Sequence, residues 1–214
     1  VKSYFSVDIP SNFKTAELVK RINDLDFIQV DSEFEAIILE AELIKKYRPK
    51  YNIVLKDDKS KIYIVIRKEK VDINGRLIDL PRVITARKPE LLDSDIVFGP
   101  FPNNTVVKYI LGTLRKIFPF RDCSVSKFTK YKKINSPCLY GHIGLCTGPC
   151  FKNSPNEIAL YKQNISRIKK ILLGNISSFI SKTEKQMGKY SKEEEFEKAL
   201  VCRDTLQKFY YVQK

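Results

Sequence analysis

The sequence predicts a mixed α+β chain made of several small units that follow one another. Apolar residues recur at helical spacing in the first part of the chain and again over its last third, which is typical of amphipathic helices. Between these regions lie short runs of β-branched and aromatic residues, which favour strands. Four of the five cysteines then fall within one short stretch. Together these patterns predict a small antiparallel sheet with a helix, a Cys-rich region and a C-terminal helical hairpin.

The first part of the chain carries two helical patterns with a short apolar segment between them. Residues 14–24 predict a short amphipathic helix, and residues 27–30 predict a brief strand. Ser32 and Glu35 have the spacing of a capping box, in which a serine and a glutamate side chain satisfy free amides at a helix start. They predict a second helix over residues 33–47.

The middle of the chain changes from helical to strand-like patterning. Residues 62–66 and 82–85 are rich in β-branched and aromatic side chains, which predicts two strands. Asn74 and Gly75 lie between them, and this dipeptide favours the tight turn of a β-hairpin. We therefore predict a small antiparallel sheet in this region.

A second helical region follows the sheet. Residues 98–102 contain a glycine and two prolines, which predicts a rigid connection. Asn104 predicts the cap of a helix over residues 105–118. Helical periodicity over residues 154–177 and 178–213 predicts a connecting helix and then a hairpin with one apolar seam. These boundaries divide the chain into five segments, which are 1–58, 59–120, 121–153, 154–177 and 178–213.

The charge balance restricts the partners that the chain can have. Lys and Arg number 39 against 25 Asp and Glu, which gives a net charge of +14. Such a surplus attracts polyanions, so nucleic acid is the leading partner, with a membrane surface or an acidic protein as alternatives. No apolar run approaches the ~20 residues that cross a bilayer, and no secretory segment opens the chain. The cysteines of such a chain predict a reducing, cytoplasmic compartment.

A carboxylate interrupts apolar residues on the predicted 33–47 helix. Glu40 has Ala36, Leu43 and Ile44 as its neighbours at helical spacing. Because a buried carboxylate is costly unless a cation or hydrogen-bond donors meet it, two interpretations follow. Glu40 is either a partly buried glutamate paired with a lysine or a ligand of a divalent metal such as Mg²⁺.

A dense run of positive charge follows Glu40. Residues 45–70 contain ten Lys or Arg against three acids, with tyrosines interleaved. This pattern predicts either a DNA-facing surface, where cations contact phosphates and tyrosines stack on bases, or a solvated Lys-rich face. The candidate DNA contacts are Lys45, Lys46, Arg48, Lys50, Lys56 and Lys59.

Residues 35–52 and 55–60 resemble the second half of the GIY-YIG nuclease domain of the UvrC family. The resemblance implies that Glu40 binds the catalytic metal, Mg²⁺ or Mn²⁺, and that Asn52 and Tyr4 lie in or beside the active site. The family's GIY-YIG strands, with a catalytic tyrosine and an arginine, are expected to precede the first residue. The resemblance therefore implies a remnant of an α/β nuclease layer and nuclease ancestry, not a complete active site.

Four cysteines are spaced as ligands of one metal centre. Cys123, Cys138, Cys146 and Cys150 fall within 28 residues, among glycines and prolines that shape turns. Their thiols suit zinc and iron–sulfur clusters alike, and unliganded buried cysteines are the alternative. Residues 137–150 closely resemble the Cys-rich region of the UvrC family. The resemblance implies an iron–sulfur cluster, with zinc as the alternative.

Residues 178–213 resemble the UVR motif of the same family. The resemblance implies that the helical hairpin pairs with a UvrB-like subunit, and that Phe196, Ala199, Leu200 and Arg203 are its contact residues. Periodicity alone favours a hairpin that packs on its own domain, because two short helices bury little surface by themselves.

Three functional hypotheses follow from these patterns. In the first, the chain is a fragment of the incision subunit of bacterial nucleotide excision repair, whose parent cuts damaged double-stranded DNA. In the second, it is a non-catalytic module that binds DNA and a UvrB-like subunit. In the third, it is an unrelated basic metal-binding protein of RNA.

Overall fold

In this computed structural model, which describes residues 13–51 and 61–213, the chain forms eight α-helices and five strands. The helices are α1 (Phe13–Lys20), α2 (Glu33–Tyr47), α3 (Asn104–Ile117), α4 (Val125–Lys133), α5 (Leu139–His142), α6 (Pro155–Leu172), α7 (Ile176–Lys192) and α8 (Phe196–Gln213). The strands are β1 (Ile62–Arg67), β2 (Lys70–Ile73), β3 (Arg76–Asp79), β4 (Arg82–Arg87) and β5 (Ile96–Phe101). This content confirms the α+β class that the sequence predicts.

A three-stranded antiparallel sheet forms the centre of the fold. Its strand order is β4-β1-β5, and Ile64 of β1 lies opposite Thr85 of β4 and Phe98 of β5. Ile64, Val65 and Ile66 are almost wholly buried. Because successive strand residues point to opposite faces, both faces of β1 are covered, which explains its unbroken run of apolar residues.

The two predicted strands are confirmed, but the turn between them belongs to a different hairpin. Asn74 and Gly75 both have positive φ angles, 54° and 78°, and they connect β2 to β3. Positive φ at both central residues is the backbone of the tight hairpin turn that Asn-Gly favours. The short β2–β3 hairpin is thus an insertion between β1 and β4, which pair with each other directly.

The rigid connection predicted over residues 98–102 is wrong, because most of it is strand β5. The pairing of β5 with β1 shifts by one residue between Ile62 and Ile64, and this bulge accommodates Gly99 and Pro100. Proline lacks an amide donor and is tolerated at sheet edges and bulges. Since β5 is an edge strand, the Gly-Pro pair bends it without ending it.

Helices α2 and α3 begin close to where the sequence predicts. The Ser32 hydroxyl accepts a hydrogen bond from the Glu35 amide at 3.1 Å. In a complete capping box the Glu35 carboxylate would accept a hydrogen bond from the Ser32 amide. Here it accepts from the Asp31 amide, one residue earlier, at 3.4 Å. Helix α3 is capped by the Asn103 side chain, which accepts from the Val106 amide at 2.9 Å, and the prediction of Asn104 is one residue late.

The strand predicted over residues 27–30 is wrong. Helix α1 ends at Lys20, and residues 22–30 contain no helix or strand. Phe27 and Ile28 are 85% and 59% exposed. A strand requires a neighbouring strand with which to form hydrogen bonds, and no described strand pairs with this segment. Its β-forming composition alone is therefore not enough to make it a strand.

A buried ion pair connects the sheet to the Cys-rich segment. Arg121 is 1% exposed, and its guanidinium donates to the Glu69 carboxylate, to the Leu80 carbonyl at 3.2 Å and to the Cys123 carbonyl at 3.2 Å. Arg82 Nε lies 2.9 Å from the same carboxylate, a charge contact rather than an aligned hydrogen bond. A guanidinium enclosed in this way is stable only while its counter-charge is present.

We expect Glu69→Gln to destabilise the fold by about 3 kcal/mol, because it leaves the Arg121 charge buried without its partner. Urea unfolding followed by circular dichroism measures the change. The control is Glu194→Gln, an exposed glutamate whose side chain forms no hydrogen bond or ion pair with the described residues. The control should shift the free energy of unfolding by less than about 0.5 kcal/mol. Equal stability of the two variants would contradict the assigned role of Glu69.

A second ion pair should make stability depend on pH. Arg67 binds the solvent-inaccessible Asp95 carboxylate through two of its three guanidinium nitrogens, Nε at 3.0 Å and Nη2 at 2.7 Å, and these hydrogen bonds hold the pKa of Asp95 below its usual value. A lowered folded-state pKa contributes stability above the unfolded pKa of about 3.9, and this stability is lost as the pH falls through the folded value.

Asp95→Asn should therefore cost about 3 kcal/mol at pH 7, and the gap from wild type should shrink below about pH 4. Urea unfolding at a series of pH values between 7 and 3 measures it. Asp93→Asn, an exposed change two residues away, should follow the wild-type curve throughout. A gap that stays constant down to pH 3 would show that the carboxylate charge is not what Arg67 stabilises.

Candidate functional site

The Cys-rich segment folds as two short helices joined by tight turns. The Ser124 hydroxyl caps α4, and the buried Phe128 anchors this helix to the core. A side chain at Gly141 would approach Pro137 Cβ to 2.6 Å, so only glycine fits there. Gly148, with a φ of 67°, makes a further turn that a larger residue would strain. These turns bring the chain back on itself between the cysteines.

The fold gathers the four predicted ligands into one region. Cys146 and Cys150 are buried, and Cys123 and Cys138 are half-buried. Burial, together with the nearby thiols of Cys123 and Cys138, raises the pKa of Cys146 to about 12 and that of Cys150 to about 11. The four thiols therefore lie in one neighbourhood of the fold, although they are not placed around a common centre. All are free thiols, as is Cys202, which lies apart on α8.

Hydrogen-bond donors surround two of these sulfurs. The Gly148 amide donates to Cys146 Sγ at 3.4 Å, and Arg121 Nη1 lies 4.0 Å from Cys123 Sγ. The Thr147 hydroxyl is buried and has no hydrogen-bond partner among the described residues. A cleft of about 390 Å³ lies beside these residues and is lined in part by Cys146, Thr147 and the exposed His142. These donors lower the pKa of the Cys123 and Cys146 thiols, but burial outweighs them, so both thiols stay protonated unless a bound group replaces the protons.

The side chains are not arranged as a coordination shell. Over residues 13–51 and 61–213, no three His, Cys, Asp or Glu side chains are placed to hold one metal ion. The donor set fits a thiolate-bound group by its chemistry and by its convergence. Binding such a group would require the thiols to lose their protons and to turn toward one another.

Glu40 lies on the exposed side of α2, so its interpretation as a partly buried glutamate is wrong. The buried stripe of this helix is formed by Phe34, Ile38 and Ala41, which recur at helical spacing. Glu40 lies on the other side, and in the part of the chain that the structure describes no lysine or arginine pairs with it. Its carboxylate is therefore available to a ligand from outside. Tyr4 and Asn52 lie outside the described residues.

The predicted DNA contacts that the structure describes are exposed at the end of α2. Lys45, Lys46, Arg48 and Lys50 are all accessible to solvent, and none is paired with a carboxylate among the described residues. The Lys45 ammonium donates to the Val97 carbonyl at 3.4 Å, which places the helix end beside β5. Their positive charge is thus not neutralised within the fold. Lys56 and Lys59 lie outside the described residues.

The C-terminal hairpin consists of α7 and α8, but its apolar residues do not form one seam. Cys202, Leu206 and Phe209 of α8 are buried, and the Phe209 ring lies 6.2 Å from that of Phe118 and 5.6 Å from that of Phe179. This face packs on the chain's own core.

The predicted contact residues of α8 lie outside this buried face, and three of the four are exposed. Phe196 and Leu200 are 66% and 46% exposed, Ala199 is half-buried, and Arg203 is exposed. Phe196 and Leu200 are one helical turn apart, so they form a continuous apolar strip. The prediction of a single seam is wrong because helical periodicity alone did not separate these two faces.

Two features of the site region escaped the sequence analysis. The first is Arg121, which contacts Cys123 and was visible only as a cation two residues before the first cysteine. The second is a polar cleft between α6 and α7, lined by Arg167, Lys170 and Lys182. The sequence indicates this cleft only through its composition, because α6 and α7 hold eight Lys or Arg against two Glu.

No helix in the described ranges combines the length and the apolar character needed to cross a membrane.

Comparison with known proteins gives matches along most of the chain. The UvrC-like GIY-YIG domain matches residues 1–53, the middle domain of the UvrC/Cho excinuclease matches residues 70–171, and the UvrB/uvrC motif matches residues 177–211. No solved structure matches the chain at a significant level.

Curated relatives agree with these family matches. The UvrABC system protein C of Clostridium kluyveri is 39% identical over 206 residues, and those of Clostridium botulinum strain Hall and Borrelia turicatae are 37% and 36% identical. Each match covers 96% of this chain but 31% of the relative, so the chain spans about a third of the length of these proteins. The three family matches and these relatives point to one family, and the chain belongs to the UvrC family.

Proposed function

We propose that this chain is the part of a nucleotide-excision-repair incision subunit that holds DNA and a UvrB-like partner, within a protein that cuts the damaged strand by metal-dependent phosphodiester hydrolysis. The observation that carries the proposal is the division of α8 into a buried face and an exposed apolar strip, inside the segment that matches the UvrB/uvrC motif. Chromosomal DNA as the substrate would place the protein in the cytoplasm.

The exposed strip suits a helical partner. The buried face of α8, formed by Cys202, Leu206 and Phe209, fixes the helix on the core, so that Phe196 and Leu200 are held in place before a partner arrives. Preorganisation of this kind reduces the entropy that binding costs. An apolar helix face is covered most readily by another amphipathic helix, as in helix-in-groove recognition. We infer that a hairpin of a UvrB-like subunit packs on this strip, with Ala199 and Arg203 at its border.

Replacing Phe196 or Leu200 with alanine should weaken binding to the cognate UvrB subunit by about tenfold or more, because both side chains would lose their apolar contact area. Isothermal titration calorimetry with the purified subunit measures the change. Tyr211→Ala removes an 80% exposed aromatic side chain near the other end of the same helix and serves as the control. If Tyr211→Ala weakens binding and Phe196→Ala does not, the strip is not the docking surface.

The four cysteines support a second element of the proposal, an iron–sulfur cluster with zinc as the alternative. Buried thiols that converge, with an amide and a guanidinium beside two of them, suit a group of net negative charge bound through thiolates. Cys123, Cys138, Cys146 and Cys150 would be its ligands. When bound, such a group supplies a cross-link between the turns of this segment and, if it contains iron, one-electron redox chemistry.

Chain purified without oxygen should contain iron and inorganic sulfide in roughly equal amounts and absorb broadly in the visible range, because four thiolates would retain the cluster. Cys146→Ala should lose both signals. Cys202→Ala changes the free thiol on α8 and should keep them. Stoichiometric zinc without sulfide would replace the cluster with a zinc site. A folded chain that retains no metal would overturn the proposal of a thiolate centre.

Glu40 and the basic end of α2 complete the proposed arrangement. We propose that Glu40 holds Mg²⁺ or Mn²⁺ in the nuclease site of the whole protein, with Tyr4 and Asn52 in or beside that site. Its exposed, unpaired carboxylate suits a metal that keeps most of its water shell. The lysines and the arginine near the end of α2, together with Lys56 and Lys59, would contact DNA phosphates.

A further inference from the structure

A polar cleft separates helices α6 and α7. The two helices are joined by a short turn that contains Gly174, whose φ is 75°, and Asn175. The cleft has a volume of about 380 Å³. Its lining includes Ser166, Arg167 and Lys170 from α6, Asn175 from the turn, and Ser178 and Lys182 from α7. No residue of α8 lines it, so it is distinct from the apolar strip of Phe196 and Leu200.

The cleft holds three cations and no carboxylate. Arg167, Lys170 and Lys182 line it, and in the described part of the chain none of the three forms an ion pair. Positive charge also continues outside the cleft, because α6 and α7 together carry eight Lys or Arg against two Glu. Such a surface attracts an anionic ligand, and its extent along two helices suits an elongated one.

Arg167 occupies an unfavourable position for an unpaired cation. Its side chain is half-buried, with the guanidinium carbon 5.8 Å from the centre of the Phe118 ring, and burial lowers its pKa. A guanidinium that is partly removed from water loses hydration that a ring contact only partly replaces. A ligand anion would restore the missing counter-charge. The aromatic contact meanwhile holds the group in place before a ligand binds.

The start of α7 lies at one end of the cleft, next to Ser178. Asn175 is the N-cap residue, but its side chain does not bond to the first-turn amides. The Ser177 hydroxyl donates to the Glu35 carboxylate at 3.2 Å, so α2 already supplies part of the negative charge that a helix start favours. Hydroxyl groups of Ser166 and Ser178 supply further donors for an oxygen-rich anion.

We propose that the α6–α7 cleft binds backbone phosphates of a DNA strand. This inference rests on the proposed function, in which the chain holds DNA, and it assigns a phosphate contact apart from the α2 end. The chemistry favours a nucleic-acid backbone over an acidic peptide, because an extended row of cations matches regularly spaced phosphates. Apart from Phe179, the side chains that line the cleft are polar or charged.

The test compares the affinity of the 214-residue chain for a fluorescein-labelled DNA duplex, by anisotropy, at several salt concentrations. Replacing Arg167 and Lys182 together with glutamine should reduce the affinity by about tenfold and lower the salt dependence by about two released counterions. Arg167→Lys keeps the charge and should retain most of the binding. Lys130→Gln with Lys133→Gln removes the same charge from α4 and should change the affinity by less than about twofold. Circular dichroism establishes that each variant is folded.

The outcomes separate the cleft from the broader function. If the wild-type chain binds no DNA, the proposed DNA-holding role fails and the cleft assignment fails with it. If Arg167 and Lys182 can be replaced without effect while Lys45→Gln with Lys46→Gln weakens binding, the cleft is not a DNA site and the DNA-holding role stands. A loss of affinity for the UvrB subunit instead of DNA would assign the cleft to an acidic protein surface. Stronger binding to RNA of the same sequence would overturn the assignment to DNA.

Discussion

The ion pair between Arg121 and Glu69 is the constraint on which the position of the Cys-rich segment depends. Apolar packing holds the sheet and helices together, but it does not fix which way a loop of small and polar residues faces. Arg121 does so because its guanidinium reaches Glu69 after β1, the Leu80 carbonyl before β4 and the Cys123 carbonyl at once. The Tyr161 hydroxyl of α6 donates to the Pro81 carbonyl, so a second polar contact draws the helical part of the chain to the same loop. The sheet, the cysteines and α6 are thus aligned by hydrogen bonds whose geometry is directional.

Helices α2 and α8 each have one face that packs on the core and another face that is exposed to solvent. In α8, Phe209 packs on Phe118 and Phe179, which fixes the exposed strip of Phe196 and Leu200 at no further entropic cost. In α2, the stripe of Phe34, Ile38 and Ala41 leaves Glu40 and the basic end of the helix accessible. The rigid core contacts therefore position both proposed functional surfaces. This arrangement requires amphipathic helices with apolar residues on more than one face.

That requirement also sets the limit of what the sequence could predict. Helix α2, strands β1 and β4 and the gathering of the cysteines follow from local signals such as the Ser32 cap, the β-branched runs and the turn glycines. Glu40 was misplaced because apolar residues lie on both sides of α2, and only the sheet decides which side is buried. Strand β5 was missed because a Gly-Pro pair opposes local strand formation, whereas pairing with the buried β1 overrides it. Contacts between residues far apart in the chain, such as Arg121 with Glu69, leave no periodic signal at all.

Unpaired positive charge is the remaining feature of the fold, and folding alone does not explain it. Surface lysines cost little, but a half-buried arginine without a carboxylate destabilises the chain that contains it. Arg167 lies in such a position beside the Phe118 ring, on a helix pair that is strongly basic. An anionic ligand that occupies the cleft would remove this cost and so stabilise the folded chain by an amount that rises with ligand concentration. Relief of the desolvation cost at Arg167 would therefore be one contribution to the affinity of the cleft for phosphate.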